Sequence, residues 1–365
     1  MTTPKAFLLG CVAAAFVAGS PLSTCYGQQT LDSAILAVQT KLSAEQQAVL
    51  KKFLDEWLNS IESPGTRPRD LVDARQALIL PLQGRTTSLV FRQAYAELAL
   101  KRLSAMAAGT DTQRAIIAMQ IARYIGTSDA LAIIVERLSP AREPDVGKRM
   151  SAATTLGLAL PDAVSNTKMT GAQIDAITRE VERAALSETD TLVLLQEVRA
   201  LTSAVTAATV NASNISAATA DRARIAQVKV LQKLIKQIGI DNSADARVSV
   251  NQALLTLRDQ WLALRGLADR QRLGPVIAPA LADAFDLAGK QWDAAHADPA
   301  MTKNYSDIIV LAEALLRNVD SVVRPSGPAV GPERAVASAW DANDRKTFDA
   351  QVAKWMSVLA TYSRP

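Results

Sequence analysis

The sequence predicts an all-α protein, and three observations carry that prediction. Aromatic side chains are only 4% of the 365 residues while hydrophobic ones reach 49%. The apolar content therefore falls largely on Ala and Leu, strong helix formers, with few of the aromatic and β-branched runs that favour strands. Every periodic segment repeats its apolar residues at steps of three and four. Capping residues, prolines and glycines punctuate those segments at helix-sized intervals. The expected architecture is a short array of helical hairpins followed by a bundle of long antiparallel helices.

Residues 1–27 carry the features of an export signal: Lys5 supplies a positive start, Ala6 to Ala18 an apolar run, and small residues follow. The run is too short to span a bilayer comfortably. Cleavage after Gly27 would free a chain beginning at Gln28. Alternatively, Leu22-Ser23-Thr24-Cys25 resembles a bacterial lipobox, which implies a lipid on Cys25, although Thr24 departs from the usual small residue at that position. The other cysteine, Cys11, lies inside the apolar run, so a processed chain holds at most one thiol and no internal disulfide.

The segment 28–165 is expected to form the hairpin array. Ser43 and Gln46 have capping-box spacing, and Leu50, Phe53, Leu54, Trp57, Leu58 and Ile61 form the buried stripe that follows, stopped by Pro64-Gly65. A short helix near Asp70 to Leu80 is expected to end at Pro81-Leu82-Gln83-Gly84, and a longer one to carry Phe91, Tyr95, Leu98 and Leu103 on one side. Between Asp111 and Val164 the chain matches itself. Arg114-Ala115, Ala118, Ile121-Ala122, Ile125-Gly126 and Ala130-Leu131 are answered by Arg149, Ala152-Ala153, Leu156-Gly157, Leu160 and Ala163-Val164, an offset of roughly 33 to 35 residues. With its Asp145-Val146 turn entering an Ala-rich helix and its Leu-Gly step, this stretch resembles the HEAT repeat family. The resemblance implies stacked helix pairs and a binding scaffold without chemistry of its own.

From 166 to 323 the stripes tighten to a seven-residue rhythm, opened by a Thr170/Gln173 capping box. Ile174, Ile177 and Val181 begin it; Leu194, Val198, Leu201 and Val205 continue it. Val228, Leu231, Ile235 and Ile238 follow, then Val250, Leu254, Leu257 and Trp261. Gly274-Pro275 reads as a turn between this basic hairpin and two further helices, one with Leu281, Phe285 and Trp292, the other with Tyr305, Ile308, Ala312, Leu315 and Val319. Residues 324–332, rich in Pro and Gly, read as a linker. Residues 333–365 hold a last amphipathic helix through Phe348, Val352, Trp355, Leu359 and Tyr362, too apolar on one face to stay in water.

For function, the sequence mostly excludes. A single histidine, His296, rules out histidine-based triads and histidine-rich metal sites, and its place near a helix end favours a structural role. No glycine-rich phosphate loop or paired CxxC occurs, and no cofactor is expected. Glu62-Ser63 is similar to the Glu-Ser motif that carries the catalytic acid of lytic transglycosylases, and that resemblance implies a glycan-cleaving enzyme working through Glu62. The family's other segments and the aromatic platforms of a sugar cleft are missing.

The formal net charge of +4 becomes +3 without Lys5 and does not argue for nucleic acid. Charge is unevenly spread. Asp221 to Arg272 holds ten basic side chains against five aspartates, and Leu281 to Asp320 holds seven acids against three bases. Lys229, Lys233 and Lys236 lie on one helical face and are the candidate interaction surface. The expectation is an exported non-catalytic scaffold of the bacterial cell envelope, periplasmic, secreted or lipid-anchored through Cys25, whose partner is another envelope protein.

Overall fold

The computed structural model describes residues 31–84, 86–210 and 215–362. The export segment 1–27, with Cys25, lies outside the described residues. Among those described there are sixteen helices and no strand. After the short α1 (Ser33–Leu36), the helices fall into two rows. One row is α2 (Ala44–Glu62), α4 (Leu89–Ala108), α6 (Ser128–Val135), α8 (Gly171–Ser187), α10 (Ala217–Ile238) and α12 (Leu267–Lys290). The other is α3 (Pro68–Gln83), α5 (Thr112–Ile125), α7 (Val146–Thr167), α9 (Thr191–Val210), α11 (Ala244–Ala263) and α14 (Pro299–Val323). Successive members of each row pack on one another, and the rows pack face to face through α2–α3, α4–α5, α6–α7, α8–α9, α9–α10 and α12–α14. The long helices thus continue the two-row order begun by the shorter ones. One hydrophobic cluster runs through the array from Ile35 to Tyr362.

Local chemistry sets where these helices start and stop. Ser43 with Gln46 and Thr170 with Gln173 form reciprocal capping boxes on α2 and α8. Asp111 and Asp145 accept from the amides of Arg114 and Lys148, so the two self-similar segments begin alike, as α5 and α7, and lie side by side. Thr112 Oγ1 ties the two starts together by donating to Asp145 Oδ2 (2.7 Å). α5 ends on Gly126 at φ 70, a left-handed conformation that a side chain would strain. Close approach then decides packing: a Cβ on Gly157 would meet the backbone of Ala200 at 3.5 Å, so α7 and α9 touch nearly main chain to main chain.

α3 ends within the expected stretch Pro81-Leu82-Gln83-Gly84, at Gln83 with Gly84 as its cap; Pro81 is held inside the last turn because Leu82 is buried and side chains take the carbonyls of the last turns. Tyr95 Oη donates to Leu78 O (2.8 Å), Thr87 Oγ1 to Pro81 O (2.7 Å) and Arg92 Nη2 to Leu82 O (2.6 Å). Gly274-Pro275 is not a turn but the middle of α12; the chain turns at Leu264–Gly266, where Arg270 Nε donates to Leu264 O (2.8 Å). Glycine is needed at 274 because α14 crosses there: an added Cβ would lie 2.5 Å from Val323 Cγ2 and 3.1 Å from Val319 Cγ1.

Residues past the bundle close its end. α13 (Trp292–His296), α15 (Ala335–Asp341) and α16 (Arg345–Leu359) gather Trp292, His296, Trp340 and Phe348 into an aromatic cluster against Tyr305 of α14. The amphipathic C-terminal helix docks on this protein's own core, through buried Phe348 and Trp355. Residues 324–334 contain no helix but are tied down. Arg317 donates to Val330 O (3.1 Å) and to Pro332 O, and lies over the Trp355 ring. Glu313, almost fully buried, pairs with Arg317 (3.1 Å) and accepts from the first amides of α15, Val336 (3.1 Å) and Ala337 (3.0 Å).

Candidate interaction surface

The outward side of the α3–α14 row is unusually apolar. Among the described residues ten of the fifteen exposed large hydrophobic side chains stand on α3, α7, α9 and α11, against three on the opposite row. On α7, Met150 and Leu158 are 39% and 53% exposed and share a face with Thr154, being two helical turns apart. They border a groove of ≈ 420 Å³ over α3, α5 and α7, with Ile79 at its base and Gln76, Gln83, Gln120, Ser151 and Thr155 along its walls. Arg75 and Arg123 supply its only charges. Arg75 Nη1 donates to Gln120 Oε1 (2.9 Å). Arg123 lies over Tyr124 (4.9 Å) and 3.7 Å from Asp162, beyond hydrogen-bond reach. A second groove of ≈ 340 Å³ shares Gln83, Arg123 and Tyr124 and adds Arg92, whose guanidinium caps the ends of α3 and α5 by donating to Leu82 O and Tyr124 O.

A buried polar cluster lies deeper, where α7, α8 and α9 meet. Arg149 donates through Nε to Glu188 Oε2 (2.6 Å) and through Nη2 to Oε1 (3.1 Å), while its Nη1 holds the Glu143 and Pro144 carbonyls. Burial works against ionised Glu188, but Arg149 and the amides of Asp190 and Thr189 outweigh it and keep its carboxyl below the ordinary range. Glu197 on α9 is the opposite case. It is 0% exposed, neither carboxylate oxygen has a hydrogen-bond partner, and burial, with Glu188 nearby, pushes its carboxyl well up.

The residues singled out by sequence are scattered. Glu62 ends α2 on the surface with both oxygens held by Arg102, Oε1 at 2.9 Å from Nε and Oε2 at 2.6 Å from Nη2. Arg102 also reaches Asp55 and Asn59, so this is a staple between α2 and α4. Lys229, Lys233 and Lys236 do share one side of α10, between acids of its two neighbours: Lys229 pairs with Glu182 of α8 (2.7 Å), and Lys236 acts on Asp283 of α12. The basic and acidic segments are indeed adjacent, through α10–α12 and α11–α14. Their ion pairs form largely elsewhere, with α8 through Asp175–Arg222 and Glu182–Lys229, and inside the acidic helices through Asp286–Lys290, Glu313–Arg317 and Asp320–Arg324. His296 bridges α13 and α15, its ring nitrogens 3.0 Å from Trp292 O and 3.1 Å from Trp340 O. Among the described residues no three His, Cys, Asp or Glu side chains converge as metal ligands, and no helix is long and apolar enough to cross a membrane.

Sequence reasoning missed the groove because Arg75, Arg123, Met150 and Leu158 lie off the buried stripes it followed. The available signal was the pair Met150 and Leu158, apolar residues on the side of α7 opposite its alanines. The chain matches no family model, no curated protein and no solved structure. A functional reading therefore rests on these surfaces.

Proposed function

We propose that the protein is an exported, non-catalytic helical scaffold of the bacterial cell envelope, built from HEAT-like helix pairs, which binds another envelope protein. One observation carries the reading: the exposed apolar side chains concentrate on the outward side of a single helix row, whereas a face used only to meet water would carry polar ones. Stacked helix pairs offer such a row as one extended binding surface. The features of residues 1–27 support export, with Cys25 as a lipid attachment point in the anchored form.

The test is cross-linking of the full chain expressed from its own signal in a bacterial envelope, with photo-reactive residues at Met150 or Leu255 compared with Val49 on the opposite row. Discrete partner adducts from the first two positions support the scaffold. Absence of adducts from every position rejects it. Intact mass of the processed chain separates the two export routes: an amino terminus at Gln28 marks simple cleavage, a diacylated Cys25 the lipid anchor.

A further inference from the structure

The groove over α3, α5 and α7 is more specific than the face around it. Its lining holds two arginines and no acid, in a chain with 40 basic and 36 acidic side chains overall. Arg123 donates no hydrogen bond among the described residues, and its nearest carboxylate, that of the exposed Asp162, stands off at 3.7 Å. A guanidinium that is mostly covered and holds only this loose ion pair is poised for a carboxylate at hydrogen-bonding distance. Arg75 is held by Gln120 at 2.9 Å, a neutral partner, which keeps its charge uncompensated.

The remaining lining decides what carries the carboxylates. Gln76, Gln83 and Gln120 offer amide donors and acceptors together, as does a polypeptide main chain; a small anion offers acceptors only. Met150 and Leu158 flank Thr154 and give a side chain of the ligand an apolar seat, with Met150 able to adapt its shape. Nucleic acid would need a longer basic track than two arginines beside Asp162. We infer that this groove binds an extended acidic segment of a partner polypeptide, its carboxylates on Arg75 and Arg123 and an apolar side chain between Met150 and Leu158. The inference rests on the scaffold reading and gives it a site and a ligand chemistry.

The probe is a fluorescein-labelled peptide of alternating Glu and Leu, titrated with the full processed chain and followed by anisotropy. Analogues with Gln or Lys in place of Glu are titrated in parallel. The Glu peptide should bind best, the Gln analogue more weakly and the Lys analogue not at all, with affinity falling as salt screens the pairs. Arg75→Glu and Arg123→Glu should each weaken binding at least tenfold, about 1.4 kcal/mol. Leu158→Asp, at an exposed position that tolerates a polar side chain, should do the same, so the test survives if an arginine variant fails to fold. Lys290→Glu, exposed on α12, should bind as the parent does. Equal binding of the Glu and Lys peptides, unchanged binding to Leu158→Asp, or displacement by an equimolar amount of inorganic phosphate would overturn the inference. Its failure is separable from that of the scaffold: envelope adducts that persist in the Arg75→Glu, Arg123→Glu double variant refute the groove alone, whereas a parent chain with no adducts refutes the scaffold itself.

Discussion

Replacing Glu197 by leucine should make this protein more stable, and increasingly so as pH rises. The carboxyl is fully buried and both its oxygens lack hydrogen-bond partners. A buried polar group left unpaired costs about 1 to 3 kcal/mol even when neutral, and leucine of similar size removes that cost. The pH dependence follows from the raised carboxyl. Above its ordinary value of 4.5 the unfolded chain has released the proton while the folded chain still holds it. Stability therefore falls by about 1.36 kcal/mol per pH unit until the folded carboxyl also ionises. Leucine removes this slope. Urea unfolding followed by circular dichroism at half-unit steps from pH 4 to 8 would give two curves: nearly parallel at pH 4, with the variant ahead by the desolvation term alone, then diverging upward. At this chain length each kcal/mol corresponds to roughly 2 °C in melting temperature. A constant gap across the range would show that Glu197 does not titrate differently in the fold, and a less stable variant would show that its oxygens are satisfied after all.

Other expectations follow from the same geometry. Arg149→Met leaves Glu188 buried beside Glu197 without its guanidinium, and should cost roughly 3 to 5 kcal/mol in urea unfolding at neutral pH. Because the Glu188 carboxyl is held low, its contribution is present above its ordinary 4.5 and is lost as pH falls below it; Glu188→Gln should flatten the acid limb of the stability curve and also shorten the Glu197 limb, because the neighbouring negative charge that helps to hold that carboxyl up is gone. Gly274→Ala should lower the melting temperature, since overpacking against Val323 and Val319 costs about 1 to 3 kcal/mol while the gain in helix propensity returns at most about 1 kcal/mol. Glu313→Gln should speed amide exchange in α15 and α16 selectively, because it weakens both the first amide bonds of α15 and the hold on Arg317; uniform exchange across the chain would argue against that role.

The helical class was legible from the stripes, since a period of three to four survives whatever the helix packs against. Ser43 with Gln46 and Thr170 with Gln173 named helix starts for the same reason: capping is local chemistry. Proline was read too strongly at position 275, where the tight contact of Gly274 with α14 comes from residues distant in sequence. Trp340, enclosed by Trp292, His296 and Phe348, was invisible because the seven-residue α15 is too short to show a period. The groove was harder still. Arg75 and Met150 stand 75 residues apart, and although a hairpin array puts alternate helices in one row, nothing along the chain says which outward side chains of α3, α5 and α7 meet. Glu197 could have been noticed, since it lies on the same side of α9 as Leu194 and Leu201, where a lone carboxylate among alkyl groups conflicts with the pattern.

Two rows of helices packed one on the next have no intrinsic length, because each helix that joins a row leaves a side open to another. Here α16 supplies the full stop. It turns Phe348 and Trp355 inward and leaves Arg345, Lys346, Asp349 and Lys354 toward water, with Met356 its one exposed large apolar side chain, so its outer surface offers a further layer little to pack on. A chain cut after residue 332 would end in an uncovered seam around Trp292 and Tyr305, matched by the same seam on another copy. Each copy offers one such patch, so two copies meet through it about a two-fold axis, and the truncated protein should elute as a dimer rather than as a shorter monomer.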